Sequence, residues 1–581
     1  MSLSRFLIAS LFLLCSAQSY AQESVVQPEA GTGSAIKGLA TAQRYMVAAA
    51  DPLAAEAGLE MLRQGGSAVD AAIATQLVLG LVEPQSSGLG GGAFIVHWDA
   101  ASRETITIDG REAAPTAAKP DRFIRDGRPM PFMQAVRSGL SVGVPGLVRA
   151  MELAHEKFGK LPWSALFQPA IRHAEQGFPI SRRLNLLLSW QGTEHFAPAA
   201  RDYFFTAEGE ARASGSLLRN ADYAVTLRTL ASQGASAFYQ GPIAEAMILA
   251  IKSAPTAQSD MTLSDLAAYQ AKIREPLCAS YRGKKICGMG PPSSGGITVA
   301  QTLKLIEPFT TQFEPQSIMS ANTLHIIGEA QKLAYADRNR YLADPDFVGQ
   351  PVGLLDDAYI AQRHALIDLN LSMSKPDAGI PPGLAQRSFG IDETQENVGT
   401  SHISIIDGDG NAVSMTTTIE GAFGSGLWAN GFLLNNELTD FSFAPTDKDG
   451  TAIANAVGSG KRPRSSMAPT LVFDANGELE IVTGSPGGSR IILFVVKTLV
   501  ALIDWNMDAR AAAELANFGS EGGAFQIEYD PSTLWTALAL KGMGHTIKSD
   551  VMTSGTHTIV RRGGRLEGAA DPRREGVARG D

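Results

Sequence analysis

The chain has 581 residues, 44% of them apolar and 19% charged, with a net charge of -10 and a pI near 5.5. That composition builds a globular protein with a large core, and the acidic balance with scattered basic residues argues against nucleic acid or an anionic membrane as partner. The length admits several domains, although one large layered α/β unit can use most of it.

The first segment, "MSLSRFLIASLFLLCSAQSYAQ", carries Arg5, an apolar run from Phe6 to Cys15, and small and polar residues ending at Ala21. It reads as a secretory signal over residues 1-21, cleaved after Ala21, and its apolar run is too short for a membrane span. The protein is therefore expected in the periplasm or the medium. Leu13 and Leu14 stand where a lipoprotein signal has small residues, so lipidation at Cys15 is not expected.

"DPLAAEAGLEMLRQGG" opens with Asp51 as N-cap and Pro52 at the first helical position, and stops at Gly65. "SAVDAAIATQLVLGLVEP" predicts a second helix capped by Ser67 with Asp70, and its nearly continuous apolar face implies deep burial. "GAFIVHWD" and "ETITIDGRE" read as strands, the latter ending at Arg111. Helical patterns dominate from about Leu147 to Leu371, interrupted by a strand pair around "LCASYRGKKICG". If Arg282-Gly283 makes a two-residue turn, Cys278 and Cys287 face each other across a hairpin and can form a disulfide in an oxidising compartment; a pair of free buried thiols is the alternative.

"GTSHISIIDGDGNAVSMTTTIE", residues 399 to 420, predicts a β-hairpin beginning at Thr400, directly after the polar run "DETQENV". Composition allows an ordinary buried hairpin. A chemical reading makes Thr400 a latent N-terminus, because a threonine hydroxyl becomes a nucleophile when a base takes its proton and a free α-amino group on the same residue can do so near neutral pH. Strands and one strongly apolar helix, "IILFVVKTLVALIDW", then complete the chain; Lys497 interrupts that run, which is too short to span a membrane. Helices and strands at both ends fit one layered domain closed by distant segments.

Three motifs fail on context. "GLSVG" at 139 to 143 lacks the helix that must follow a nucleophile elbow. "GLGGGA" at 88 to 93 follows a helix and precedes a strand, the reverse of a dinucleotide fingerprint. "DGDGNA" at 407 to 412 has Ala412 where a calcium loop needs glycine and Thr418 where it needs glutamate.

Other stretches supply what a threonine nucleophile needs. The glycines of "TGSPGGSR" can turn adjacent N–H groups toward an oxyanion, "RPRSSMAPT" offers two serine hydroxyls, and "NNELTDFS" places two carboxylates together. With "GGSAVDAAIATQLVLGLVEPQSSGLGGGAF", "DGREAAP", "MGPPSSGGI", "EAQKLAYADRNRYLADPDF" and "GAADPRREG", in this order, the chain resembles the γ-glutamyltransferase family of N-terminal nucleophile hydrolases over nearly all of its mature length.

The resemblance implies an αββα sandwich made by autocleavage between Gly399 and Thr400, giving a large subunit 22-399 and a small subunit 400-581. It implies Thr400 as nucleophile, Gly487 and Gly488 as oxyanion donors, and Thr418 as the residue that orients the nucleophile. It assigns Arg111, Ser465 and Ser466 to the substrate α-carboxylate, and Asp440, with Glu437 and Glu420, to the α-ammonium. It implies neither a cofactor nor a metal. The reaction implied is transfer of a γ-glutamyl group from a glutathione-like amide to water or an amine acceptor. A related acylase acting on glutaryl or other carboxyacyl amides, and an inactive peptide-binding relative, are the competing readings.

There are departures from the family pattern. Glu420 and Glu437 occupy positions that are Asn and Gln in some relatives. The stretch "FAPTDKDGTAI" after Ser442 is shorter than the lid loop of well-known members and has no aromatic tip, and "LANFGS" replaces a Pro-Arg-His-like segment; both put acceptor preference in doubt.

Overall fold

The computed structural model describes residues 31–32, 37–349, 352–384, 389–394, 396 and 399–581. The signal segment, its expected cleavage after Ala21 and Cys15 lie outside the described residues. No helix among the described residues is long and apolar enough to cross a membrane.

Two seven-stranded sheets form the centre of the molecule. In chain order their strands are β1 (Ala40–Ala42), β2 (Met46–Ala49), β3 (Gly92–Asp99), β4 (Glu104–Gly110) and β5 (Lys272–Arg274). Next come β6 (Leu277–Tyr281), β7 (Lys284–Gly288), β8 (Ser401–Ile406), β9 (Ala412–Thr418) and β10 (Thr470–Phe473). The last four are β11 (Leu479–Gly484), β12 (His557–Arg562), β13 (Arg565–Ala570) and β14 (Val577–Gly580). One sheet has the order β14-β2-β8-β9-β3-β4-β5, the other β1-β13-β12-β11-β10-β7-β6. Segments from both ends of the chain thus meet in each sheet.

The predicted hairpin is central. β8 pairs antiparallel with β9, placing Ser401 opposite Thr417, and on its other side with β2, placing Ser404 opposite Ala48. Both faces are covered, so the period-2 alternation separates two cores. Ile403 and Ile405 pack with helices α1 (Pro52–Arg63) and α2 (Ala68–Val82). Ile406 and Ala412 turn instead toward Leu471, Val482 and Ile559 of the second sheet. Hydroxyls pin the two sheets together: Ser404 donates to the His557 carbonyl at 2.8 Å and Ser414 to the Thr483 carbonyl at 2.9 Å. The far face of the second sheet is covered by α3 (Gly295–Ile306), α4 (Ala321–Tyr341) and α5 (Ile491–Ile503). The layers run helix, sheet, sheet, helix.

Local signals account for the helix starts. Asp51 caps α1 with Pro52 following, and Ser67 and Asp70 make a reciprocal capping box on α2. The buried Lys497 of α5 donates to the Asn517 side chain at 2.9 Å and the Leu515 carbonyl at 3.1 Å, while burial lowers its ammonium to about 8. Cys278 and Cys287 are directly opposed on β6 and β7 and joined by a disulfide, which decides between the two alternatives left by the sequence. The intervening turn has Arg282 and Gly283 both at positive φ, as a two-residue hairpin requires. "DGDGNA" is the turn between β8 and β9, tied by Asp407 to the N–H groups of Asp409 and Asn411.

Two boundaries differ by one residue from expectation. β4 stops at Gly110, and Arg111 leaves the ladder with its N–H bound to the Asp109 side chain at 2.9 Å. β8 begins at Ser401, because the chain ahead of it passes against the Glu420 backbone and cannot pair as a strand.

Candidate active site

The start of β8 sets the centre of the site. A Cβ on Gly399 would lie 1.9 Å from the Glu420 carbonyl oxygen, so only glycine lets the chain enter the strand here. The chain is continuous through Gly399 and Thr400, and Thr400 is only 4% exposed. Thr418, the last residue of β9, donates its hydroxyl to the Gly399 carbonyl oxygen at 2.5 Å and accepts from the Glu420 N–H at 2.7 Å. Its single proton is therefore spent on polarising the carbonyl next to Thr400. The Thr418 hydroxyl is thus not bonded to the Thr400 hydroxyl, the contact that the role implied by the resemblance would need.

Around this bond lies a cavity of about 20 Å³. Every residue named from the sequence, Gly487 excepted, lines it: Gly399, Thr400, Thr418 and Gly488 at the bond, Arg111, Glu420, Glu437, Asp440, Ser465 and Ser466 around it. Gly487 sits behind, at φ 143°, where a Cβ would meet the Phe494 ring at 2.6 Å. Gly488, at φ 56°, opens a short 3-10 turn that runs into α5. The N-terminal end of α5, at Ile491, thus borders the cavity.

Arg111 is fully buried and organises the acidic wall. Its Nη1 donates to Glu437, its Nη2 to Asp440 at 2.5 Å and to the Arg464 carbonyl at 2.9 Å, and its Nε to the Pro463 carbonyl at 3.2 Å. Burial works against its charge, but Glu437 and Asp440 outweigh that and keep it protonated. Burial pushes Asp440 up to about 8 and Glu437 well above the usual carboxylate range, although Arg111 pulls both down. Glu420 holds a left-handed backbone, φ 75°, and its carboxylate accepts from Asn436 Nδ2. Ser465 is held by a bond from its N–H to the Pro292 carbonyl at 3.0 Å and by Ser294 N–H to its carbonyl at 2.7 Å.

Four charged residues here escaped the sequence reading. Glu112, next to Arg111, is buried beside Glu437 and is raised to about 7, chiefly by burial. Glu396 reaches the cavity and is gripped by Arg338, Arg464 and the Ser466 hydroxyl. The available signals were "DGREAAP", which puts an acid beside the guanidinium, and a charge-bearing α4, "YADRNRY", inside an otherwise buried helix.

Larger cavities of about 640 and 600 Å³ lie on the two sides of the segment that leads to Gly399, and both touch Lys375, Ile391 and Glu393. One group of metal-type ligands exists among the described residues, His325, Glu329 and His545, and it is already engaged. The two rings bond to each other at 2.7 Å and Glu329 pairs with Lys332 at 2.8 Å.

Comparison with known proteins gives the family. The family model described as Gamma-glutamyltranspeptidase matches residues 54–580. The chain belongs to the gamma-glutamyltranspeptidase family. Among its relatives is the glutathione hydrolase proenzyme of Bacillus subtilis (strain 168), 37% identical over 549 residues, which are 92% of this chain and 91% of that one. The glutathione hydrolase proenzyme of Escherichia coli (strain K12) is also 37% identical, over 92% of this chain and 91% of its own. Among solved structures, cephalosporin acylase from Bacillus halodurans superposes with a TM-score of 0.81 at 26% identity, covering 95% of this chain and 98% of its own. The helix, sheet, sheet, helix layering of this gamma-glutamyltranspeptidase family member is the N-terminal nucleophile hydrolase fold.

Proposed function

We propose that the chain is a glutathione hydrolase and γ-glutamyltransferase that first cleaves itself between Gly399 and Thr400. The observation that carries this reading is the hydrogen bond from the Thr418 hydroxyl to the carbonyl of the intact Gly399-Thr400 bond, inside a pocket lined by the other expected residues. Attack of the Thr400 oxygen on the Gly399 carbonyl carbon forms a tetrahedral adduct; the C–N bond breaks, the proton from the hydroxyl goes to the departing amine, and an ester remains. Water then hydrolyses the ester, leaving a carboxylate on Gly399 and a free α-amino group and hydroxyl on Thr400. The products are a large subunit 22-399 and a small subunit 400-581.

In the cleaved enzyme the α-amino group of Thr400 serves as the base for its own hydroxyl. The hydroxyl attacks the γ-carbonyl of a glutathione-like donor, N–H groups at Gly487 and Gly488 receive the oxyanion, and the amine leaves. Water or an amine acceptor takes the acyl group. Glu420, Glu437 and Asp440 suit the donor α-ammonium, and Arg111, Ser465 and Ser466 its α-carboxylate. The signal segment supports a periplasmic or secreted site of action.

Likeness to a cephalosporin acylase favours a second reading, hydrolysis of carboxyacyl amides. The acidic wall speaks for the first, since a glutaryl group brings no ammonium to Glu420, Glu437 and Asp440, whose ionised forms a cation favours. Intact mass of the purified protein, with Thr400→Ala as control, is expected to show two chains for the native sequence and one for the variant. A γ-glutamyl anilide should then be turned over at least tenfold faster than a glutaryl anilide. Uncut native protein, or a preference for the glutaryl compound, would refute the respective part.

A further inference from the structure

The pocket of the uncut chain already contains a carboxylate, supplied by the protein. The Glu396 side chain is 4% exposed. One of its oxygens accepts from Arg338 Nη2 and lies 3.4 Å from Arg464 Nη2, and the other accepts from the Ser466 hydroxyl. Arg338 is held for this contact from three sides: Nε donates to Ser294 Oγ at 2.9 Å, Nη1 to Asn339 Oδ1 at 2.7 Å, and Nη2 also reaches Ser466 Oγ at 2.6 Å. Arg111, in contrast, is committed to Glu437, Asp440 and two backbone carbonyls.

We infer that Arg338, acting with Ser466, is a carboxylate-binding residue of the donor pocket, and that Glu396 is its resident ligand before cleavage. The inference rests on the γ-glutamyl reading above and adds a second guanidinium to the carboxylate side of the site. Geometry and charge balance both support it. The Glu396 carboxylate lines the same cavity as Thr400 and is bound by Ser466, one of the serines assigned to a donor's carboxylate. Arg338 and Arg464 are balanced by Glu396 and by Asp392, which is 3.0 Å from Arg464. Loss of Glu396 leaves one buried cation without a partner, a costly state that a donor carboxylate relieves. Burial would raise the Glu396 carboxyl, yet Arg338, Arg464 and Ser466 together hold it at about 2, which shows how strongly this receptor favours an anion.

The test compares γ-glutamyl-4-nitroanilide with 4-aminobutyryl-4-nitroanilide, the same donor without its carboxylate. In the cleaved native enzyme the ratio of the two kcat/KM values measures carboxylate recognition. Arg338→Met is expected to lower that ratio at least tenfold through KM, and Arg338→Lys to restore part of it. An unchanged ratio would make Arg338 merely structural and overturn the inference, while a native enzyme inactive on both anilides would overturn the γ-glutamyl reading first. A second measurement does not depend on folding of the Arg338 variants. In the uncut Thr400→Ala background, Glu396→Ala should make the melting temperature respond to acetate, rising at least 2 °C more than in Thr400→Ala alone, with chloride of equal ionic strength as control. Equal acetate shifts in the two proteins would also overturn it.

Discussion

One hydroxyl decides how the Gly399-Thr400 bond is prepared. Thr418 has a single proton to give, and it lies on the carbonyl oxygen that gains charge when Thr400 attacks. Removing one donor of this kind from an enzymatic oxyanion site costs about 10²- to 10³-fold in rate. Thr418→Val is therefore expected to slow the appearance of the two chains roughly 100-fold, and Thr418→Ser, which keeps the hydroxyl, by less than about tenfold; both follow from a gel time course on freshly purified protein. Equal rates for valine and native threonine would remove Thr418 from the chemistry. At this scale the sequence named Thr400 and most of the residues that line its pocket, but not the contacts among them. The hairpin pattern after a glycine points to Thr400, one residue ahead of β8, but the Cβ exclusion at Gly399 arises from the Glu420 backbone, 21 residues on in the chain, and only folding brings the two together.

Elements place the groups proposed to bind the donor, and they do so at their ends. Arg111 follows β4, Glu437 to Asp440 form a 3-10 turn, and Gly488 begins the turn that opens α5. Short-range patterns foretold most of these elements: the caps at Asp51 and Ser67, the hairpin at 399 to 420 and the cysteine hairpin all appear where periodicity and turn residues put them. What periodicity does not carry is pairing between distant segments, so neither the Arg111 contacts with Glu437 and Asp440 nor the grip of Arg338 on Glu396 was visible. The commitment of Arg111 at a strand end makes a sharp expectation. Lysine at this position keeps the charge but cannot reach two carboxylates and two carbonyls at once. Loss of a hydrogen bond to a charged group, about 1.5 to 3 kcal/mol, raises the donor KM tenfold or more in Arg111→Lys. Steady-state kinetics on a γ-glutamyl anilide measures it, and an unchanged KM would leave Arg111 a purely structural residue.

A minority of the molecule's acids are buried, and these shape how stability responds to pH. Burial raises Asp440 to about 8 and Asp51 and Glu112 to about 7, so from about pH 4 to 8 the folded chain holds protons that the unfolded chain has released. Stability from these groups falls as pH rises through that window. Buried histidines act oppositely, but His402 and His545, lowered to about 3 by burial, matter only below the unfolded value of about 6.5. Lys461 and Lys497, lowered to about 8 by burial, begin to act only above that pH. Uncut Thr400→Ala protein is thus expected to melt at a lower temperature at pH 8 than at pH 6.5, and Asp440→Asn in the same background to narrow the gap; an unaltered gap would exonerate the acidic wall. The same overall arrangement bears on what consumes the acyl-enzyme. The loop after Ser442 is short, with Phe443 stacked on Phe123 at 4.5 Å and its tip turned on Asp447, which accepts from the N–H groups of Asp449 and Thr451. It borders a cavity of about 600 Å³ instead of closing over it. A closed lid would exclude water from an ester on Thr400, and a short polar turn that lines a separate cavity offers little to close with. With a dipeptide acceptor in the millimolar range at neutral pH, free glutamate is expected to remain a major product, and a longer, aromatic-bearing loop grafted at 443 to 453 to shift products toward the γ-glutamyl-dipeptide. The ratio of those two products in native and grafted enzymes is the measurement; near-exclusive transfer by the native protein, unmoved by the graft, would show that the loop does not set the partition.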